Sequence, residues 1–203
     1  MNFKEDYGIF DSIGKTYVFL IRCNRYDTRR RNSIHWIQRY LPILRKYAKK
    51  CNHITEFGID QCISTWAFLA SNPRKLVSVD IDLHRRASKF VKEFQGTNWW
   101  LMSAINLAKE EGIVFEVIEG DTTKIDIEET DLLFIDTLHR DYHIRKELER
   151  HQDKVRKCLI FHDTALFAEI NNPINELLDS GRFEDEYRDT TSPGLRIIKR
   201  IQS

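Results

Sequence analysis

Residues 55–66 of the chain read Thr55-Glu56-Phe57-Gly58-Ile59-Asp60-Gln61-Cys62-Ile63-Ser64-Thr65-Trp66. A predicted strand ends at the acidic Glu56, Gly58 allows a tight turn, and Ser64 with Thr65 opens a predicted helix. Ligands of open α/β sheets bind outside the carboxyl ends of the strands, and helix N-termini bind carboxylates and phosphates. The segment therefore predicts a candidate binding turn, with Ser64 as the helix cap. An ordinary β-α turn with a serine cap is the alternative.

The same alternation of strand and helix continues beyond this turn. Short apolar runs predict strands at 53–56, 76–79, 114–118, 132–135 and 158–161. Helical spacing predicts helices at 64–70, at 84–112 with an interruption near 96–98, and at 142–155. Strands that alternate with helices are typical of parallel β-α units joined by right-handed crossovers.

The two ends of the chain depart from this pattern. Before the repeating part we predict a strand-like run at 16–21, an Arg-rich polar stretch at 24–32 and a helix at 33–50. After it, a helix at 173–178 precedes two strands, 183–187 and 195–201, joined by the turn Ser192-Pro193-Gly194. We therefore expect a single α/β domain, with an extension at 1–52 and a core at 53–203 that closes with an antiparallel hairpin.

The composition and net charge limit the kinds of protein and partner that fit this sequence. The chain has 203 residues, of which 41% are hydrophobic, which suits one domain with a buried core. Its 32 basic and 31 acidic residues leave a formal charge of +1, which indicates neither nucleic acid nor an anionic membrane as partner. We find no apolar run long enough to span a bilayer and no signal-peptide pattern, so we expect a cytoplasmic protein.

The cysteines favour a reducing compartment. Cys23, Cys51, Cys62 and Cys158 lie far apart in the sequence and form no CxxC pair. This spacing argues against a zinc module and against a disulfide framework.

Further candidate site residues follow the second to fifth of these predicted strands, at the point where each strand ends. They are Asp80, Gly120-Asp121, Asp136 with His139 three residues later, and His162-Asp163. The carboxyl ends of adjacent parallel strands meet at one edge of a sheet, so we expect the groups after the fourth and fifth strands to lie at one edge. The alternatives are a solvated aspartate at Asp80, a plain Gly-Asp turn, a helix cap at His139 and an internal His162–Asp163 pair.

The 55–66 segment resembles that of small class I S-adenosylmethionine-dependent O-methyltransferases of the catechol and macrocin types. These proteins carry a pattern like E-x-G-x-x-x-G-x-S, which this sequence matches at Glu56, Gly58 and Ser64. It departs at Cys62, where the family usually has glycine. The dinucleotide fingerprint G-x-G-x-x-G is absent, which speaks against an NAD enzyme.

The resemblance implies a Rossmann-like fold with a mostly parallel seven-stranded sheet, and S-adenosylmethionine as cofactor. The cofactor-binding residues that it implies are Glu56, Gly58, Ser64, Asp80, Gly120, Asp121 and Asp136. In that scheme Asp80 accepts hydrogen bonds from the ribose hydroxyls and Asp121 accepts one from the adenine amine. The side chain of Cys62 would stand where the backbone must approach the cofactor, and would weaken or shift its binding.

The resemblance also implies a divalent-metal site and a general base. In metal-dependent relatives an acid after the fourth strand and an acidic pair after the fifth hold Mg²⁺, which here corresponds to Asp136, His162 and Asp163. An imidazole ligand favours Mn²⁺ or Fe²⁺ over Mg²⁺. His139 stands where relatives place the base, and histidine titrates near neutrality, so it can take a proton from a substrate hydroxyl.

The implied reaction is transfer of a methyl group to a hydroxyl of a small molecule or sugar. No nucleic-acid or membrane partner is indicated, and a homo-oligomer is left open. Two alternatives remain: a cofactor-binding protein without catalysis, suggested by Cys62, and another Rossmann-like enzyme that uses NAD or a nucleotide sugar.

Overall fold

A computed structural model describes residues 12–26, 37–60, 62–83 and 99–201 of the chain. The Arg29-Arg30-Arg31 run, residues 33–36 of one predicted helix and residues 84–98 of another lie outside these ranges. Within the described ranges, no helix is long and apolar enough to cross a membrane.

Helices and strands alternate through the core as predicted. The helices are α1 (Ile13–Tyr26), α2 (Leu41–Ala48), α3 (Ile63–Leu69), α4 (Trp99–Glu110), α5 (Asp141–His151) and α6 (Asn171–Asp179), with short 3₁₀ helices at Ile37–Tyr40, Gln152–Lys154 and Ala168–Ile170. The strands are β1 (His53–Phe57), β2 (Lys75–Asp80), β3 (Val114–Glu119), β4 (Thr130–Ile135), β5 (Val155–His162), β6 (Phe183–Asp189) and β7 (Leu195–Arg200).

The strands form one seven-stranded sheet in the order β3-β2-β1-β4-β5-β7-β6. β1 to β5 are parallel to their neighbours, and β7 pairs antiparallel with both β5 and β6. Phe57 is level with Ile135, and Ile135 is level with Phe161, so three strands end side by side. The predicted sheet with a closing hairpin is confirmed.

Apolar side chains of alternating parity cover both faces of the sheet. In β4, Leu132 and Phe134 belong to one buried cluster, while Leu133 and Ile135 belong to the other. α1 to α4 pack on the first face, and α5 and α6 pack on the second. A strand with two buried faces has a continuous apolar sequence, which is why a short apolar run predicted β4.

The strand-like run predicted at 16–21 is wrong, because these residues lie within α1. Ile13, Tyr17 and Leu20 are buried at helical spacing, and the Tyr17 hydroxyl donates to the carbonyl oxygen of Leu41 at 3.3 Å. A short apolar run rich in β-branched and aromatic residues does not distinguish a strand from a buried helix. The helix predicted at 142–155 is also too long, since Val155 begins β5.

Candidate functional site

The turn after β1 is closed by Gly58, which lies directly against the chain after β4. Its φ is +88°, a value that residues with a side chain rarely adopt. Its N–H donates to the carbonyl oxygen of Val79 at 2.8 Å. A Cβ at this position would lie 2.0 Å from the carbonyl oxygen of Asp136. Only glycine therefore lets the ends of β1, β2 and β4 meet this closely.

Glu56, next to the end of β1, is fully buried under this turn. Its carboxylate accepts hydrogen bonds from the hydroxyls of Ser64 at 2.6 Å, Thr65 at 2.8 Å and Ser78 at 2.6 Å. Ser64 was expected to cap α3, but its hydroxyl donates to Glu56 instead, and Cys62 is the N-cap residue without a side-chain cap. The contacts of Glu56 and Ser64 join β1, β2 and α3, and their role toward a cofactor stays a prediction.

The burial of Glu56 should make the stability of the protein depend on pH. Burial raises its pKa to about 7, and the hydrogen bonds from Ser64, Ser78 and Thr65 only partly oppose this. The pKa of Glu56 in the folded protein lies above the ordinary value of 4.5. The contribution of its protonated form to the free energy of unfolding is therefore complete below pH 4.5 and is lost as pH rises through 7. The difference corresponds to roughly 3 kcal/mol.

The variant Glu56→Gln cannot titrate and serves as the reference for this prediction. We expect the free energy of unfolding of the wild type, minus that of the variant, to fall between pH 5 and pH 8 in urea titrations. A difference that stays constant over this range would show that Glu56 ionises in the folded protein as it does in the unfolded chain.

Cys62 adopts the backbone conformation that glycine favours, with a φ of +60°. Its side chain is fully buried in the core beneath α3, so the thiol does not project into open space. Burial raises the pKa of this thiol well above its usual range, which keeps it protonated. Whether the Cys62 side chain weakens or shifts cofactor binding stays a prediction.

Asp80 holds the loop after β1 from the end of β2. Its Oδ2 accepts the N–H groups of Ile59 at 2.9 Å and Asp60 at 3.3 Å, and its Oδ1 accepts that of Asp82 at 3.3 Å. A carboxylate has about four acceptor positions, so Asp80 retains acceptor capacity beside these three bonds. Its placement suits a role in binding hydroxyl groups.

Gly120 and Asp121 lie at the end of β3, the next strand along this edge of the sheet. The N–H of Gly120 donates to the carbonyl oxygen of Asp80 at 2.9 Å. The Asp121 carboxylate accepts the hydroxyl of Thr123 at 2.6 Å and pairs with Lys124 at 2.9 Å. These partners hold the pKa of Asp121 well below its usual range. Both residues thus shape the β3 turn, and their contact with an adenine stays a prediction.

The residues after β4 and β5 form one compact cluster. Nε2 of His139 lies 3.1 Å from Oδ1 of Asp136 and 3.2 Å from Oδ2 of Asp163. One ligand atom from each of these three residues lies within 4.8 Å of the others, a spacing that can hold a metal ion. Asp163 has a φ of +61°, a strained value of the kind found at functional sites.

His162 lies behind this cluster rather than within it. Its Nδ1 is 3.4 Å from Oδ1 of Asp136 and 3.3 Å from Oδ1 of Asp163, but neither ring nitrogen makes a well-aligned hydrogen bond within the described residues. The side chain is 5% exposed, compared with 19% for His139. The sequence assigned His162 to the metal and His139 to proton transfer, whereas the geometry sets His139 between the two carboxylates.

The cluster brings two carboxylates and two imidazoles close together. Burial would raise the pKa of Asp136, but the charge of His162 and the hydrogen bond with His139 hold it well below its usual range. Burial would lower the pKa of His162, and the charge of Asp136 raises it instead. Burial raises the pKa of Asp163. Asp136 is thus the carboxylate most firmly held in its charged form.

Two aromatic rings orient the imidazoles. Phe167 stacks on His139, with ring centroids 4.7 Å apart and planes 5° from parallel. Tyr40 meets His162 edge-on at 5.7 Å, and its hydroxyl donates to Asp189 and accepts the N–H of Gly194. The C-terminal hairpin therefore supports the cluster from behind. Neither ring was identified from the sequence, because an isolated aromatic carries no motif.

A buried carboxylate on α5 was also missed. Glu147 is fully buried and accepts hydrogen bonds from the hydroxyls of Thr122 and Thr137, with Nε2 of His143 at 3.2 Å. Thr137 directly follows Asp136, so this contact anchors the loop that carries the cluster. The available signal was a glutamate next to the buried Leu148 on the apolar face of the helix.

Comparisons with known proteins place the fold but not the chemistry. No protein-family model and no curated protein matches the sequence. A methyltransferase from Geobacter sulfurreducens is 16% identical, with a TM-score of 0.55, over 94% of this chain and 88% of that one. A candidate caffeoyl-CoA O-methyltransferase from Staphylococcus aureus is 12% identical, with a TM-score of 0.57, over 92% and 99%.

The N-methyltransferase NodS from Bradyrhizobium japonicum, solved with S-adenosyl-L-homocysteine, is also similar. It is 14% identical, with a TM-score of 0.56, over 92% of this chain and 99% of that one. At such low identity the likeness is one of fold. The chain has the Rossmann-like fold of class I methyltransferases.

Proposed function

We propose that the chain is an S-adenosylmethionine-dependent methyltransferase that methylates a hydroxyl of a small molecule or sugar with the help of a divalent metal. One observation carries the proposal. Asp136, His139 and Asp163, from the ends of two adjacent strands, converge in a cluster at the sheet edge where β1 and β2 present Gly58 and Asp80. Ligands of open α/β sheets bind at this edge.

The residues present fit a divalent ion. Oδ1 of Asp163 is buried without a hydrogen-bond partner among the described residues, although buried carboxylate oxygens are normally satisfied. A cation held by Asp136, His139 and Asp163 would offset the mutual repulsion of the two carboxylates. A mixed set of carboxylate and imidazole ligands suits Mn²⁺ or Fe²⁺ better than Mg²⁺.

The residues also fit the proposed cofactor. Asp80 retains acceptor capacity toward ribose hydroxyls, and charge strengthens such bonds. Gly58 keeps the turn beneath the site free of a side chain. S-adenosylmethionine, when bound, would supply the activated methyl group, and the protein would align it with the acceptor oxygen.

The metal, when bound, would supply positive charge that lowers the pKa of the acceptor hydroxyl. Asp136 and Asp163 would then hold the ion through their negative charge. Phe167 would keep the His139 ring in place. Nε2 of His139 can offer its lone pair to an ion or to a substrate proton, but not to both. Its position between two carboxylates favours the ligand role, so the general-base assignment depends on whether the site holds an ion.

Asp80 provides the test of cofactor binding. Asp80→Ala should weaken the binding of S-adenosylhomocysteine by about 1.5–3 kcal/mol, as expected for the loss of a charged acceptor. Isothermal titration calorimetry measures the effect, and Asp126→Ala, an exposed aspartate paired with Lys154, is the control. Asp80→Asn keeps one oxygen for the loop N–H groups, so its affinity should lie between those of the wild type and Asp80→Ala. Equal affinity of wild type and Asp80→Ala would exclude the assignment.

The alternative functions predict different ligands. A thermal-shift comparison of S-adenosylmethionine, S-adenosylhomocysteine, NAD and nucleotide sugars separates them, because a ligand that binds only the folded state raises its stability. A shift with NAD or a nucleotide sugar alone would favour another Rossmann-like enzyme. Cofactor binding without methyl transfer to any hydroxyl acceptor would favour a binding protein.

A further inference from the structure

We propose that Cys51 and Cys158 form a reactive dithiol that accepts small anionic disulfides and closes to a reversible disulfide. The site lies at the edge of the sheet opposite the Asp136–Asp163 cluster. Cys51 precedes β1, and Cys158 lies in the first half of β5, two strands away in the sheet. The sequence spacing argued against a disulfide framework, but the fold brings these two residues to one pocket.

The two thiols share one cavity. Both line a solvent-open pocket of about 170 Å³ together with Tyr47 and Glu186. The sulfur of Cys51 is 3.5 Å from the carbonyl oxygen of Tyr47. Cys158 borders the same cavity, so the two thiols face one shared space. Both cysteines are free thiols, and each side chain is about 5% exposed.

The pocket is strongly basic. Its lining includes five cationic residues and a single acidic one, Glu186; the cations are Lys50, Arg156, Lys157, Lys199 and Arg200. Asp131 and Glu184 pair with some of these cations without lining the pocket. A basic cavity favours a thiolate and attracts disulfides that carry carboxylates.

The environments of the two sulfurs assign different roles to them. Interaction with Cys158 lowers the pKa of Cys51, and the charges of Lys157 and Lys50 add to this effect, while burial and Asp131 oppose it. Interaction with Cys51 and burial raise the pKa of Cys158. The proposed reaction therefore assigns the attack to Cys51, which lies beside Lys50 in the basic cavity, and the resolving step to Cys158.

The reaction balances as two successive exchanges. The Cys51 thiolate attacks one sulfur of a small disulfide, breaks its S–S bond, forms a mixed disulfide and releases one small thiolate. Cys158 then loses its proton to that thiolate and attacks the sulfur of Cys51. This forms the protein disulfide and releases the second small thiolate. The two protein thiols are oxidised, and the small disulfide is reduced to two thiols.

The experiment uses the reduced full-length chain and glutathione disulfide, a disulfide rich in carboxylates. After acid quenching and alkylation, peptide mass spectrometry should find Cys51 linked to Cys158, with Cys23 and Cys62 still alkylated. Cys158→Ser should stop at a glutathione adduct on Cys51. Cys23→Ser is the matched control and should close at the wild-type rate.

Charge recognition has its own comparison. Lys50→Gln should slow the reaction with glutathione disulfide by about tenfold, and slow the reaction with neutral hydroxyethyl disulfide much less. Equal slowing with both reagents would contradict the basic pocket as a recognition site. Modification of Cys23 or Cys62 as fast as Cys51, or a mixed disulfide that never closes in the wild type, would overturn the dithiol. The wild-type measurement stands even if a cysteine variant fails to fold.

Discussion

The double variant Asp136→Asn with Asp163→Asn should lose divalent-metal binding altogether while keeping its fold. The two carboxylates approach the same imidazole nitrogen, at 3.1 Å and 3.2 Å, and together supply the negative charge that would hold an ion. Asparagine keeps the size of each side chain but removes that charge, and a neutral amide oxygen is a much weaker ligand for a divalent ion. Calorimetric titration with Mn²⁺, Fe²⁺ and Mg²⁺ measures the loss.

The two histidines distinguish the arrangement seen in the structure from the one predicted from sequence. His139→Ala should weaken metal binding by at least about 100-fold, because it removes a ligand of the ion. His162→Ala should weaken metal binding less, because His162 lies behind the ligands. Glu169→Gln is the control, because this exposed carboxylate pairs with Arg140 beside the cluster. The opposite ranking of the two histidines would restore His162 as the ligand and leave His139 for proton transfer. A wild-type protein that binds none of these ions would exclude the metal.

Gly58→Ala should destabilise the protein by about 4 kcal/mol, which is in the exceptional range for one added methyl group. The φ of +88° disfavours alanine, and its Cβ would lie 2.0 Å from one backbone atom of Asp136 and 2.8 Å from another. Backbone cannot move aside as a flexible side chain can. The turn or the loop after β4 must therefore shift, and the binding of S-adenosylhomocysteine should weaken as well.

Gly112→Ala is the matched control for this prediction. Gly112 also has a positive φ, +73°, but an added Cβ would meet nothing within 4 Å. The free energy of unfolding of this variant should fall only by the cost of placing alanine at a positive φ, about 1 kcal/mol. Urea unfolding followed by circular dichroism compares the two, and equal losses would mean that the close approach of Gly58 to Asp136 contributes little.

The position of the candidate site follows from local sequence patterns. Short apolar runs separated by helical spacing specify parallel strands, and the residues after parallel strands must meet at one edge. Asp136, His139, His162 and Asp163 could therefore be predicted to lie together, and the structure confirms that they do. The same reasoning failed at 16–21, where no flanking signal separated a strand from the helix α1.

The sequence by itself determined which residues end the parallel strands of the core, because strand direction and alternation are properties of neighbouring residues. Only the tertiary structure decided which way the side chains point. His139 rather than His162 lies between the carboxylates because Phe167 stacks on one ring and Tyr40 meets the other. Glu56 accepts hydrogen bonds from three hydroxyls, two on α3 and one on β2, and Cys51 and Cys158 line one pocket. These contacts join residues that are distant in sequence, so they arise from the packing of helices on the sheet, which no local pattern encodes.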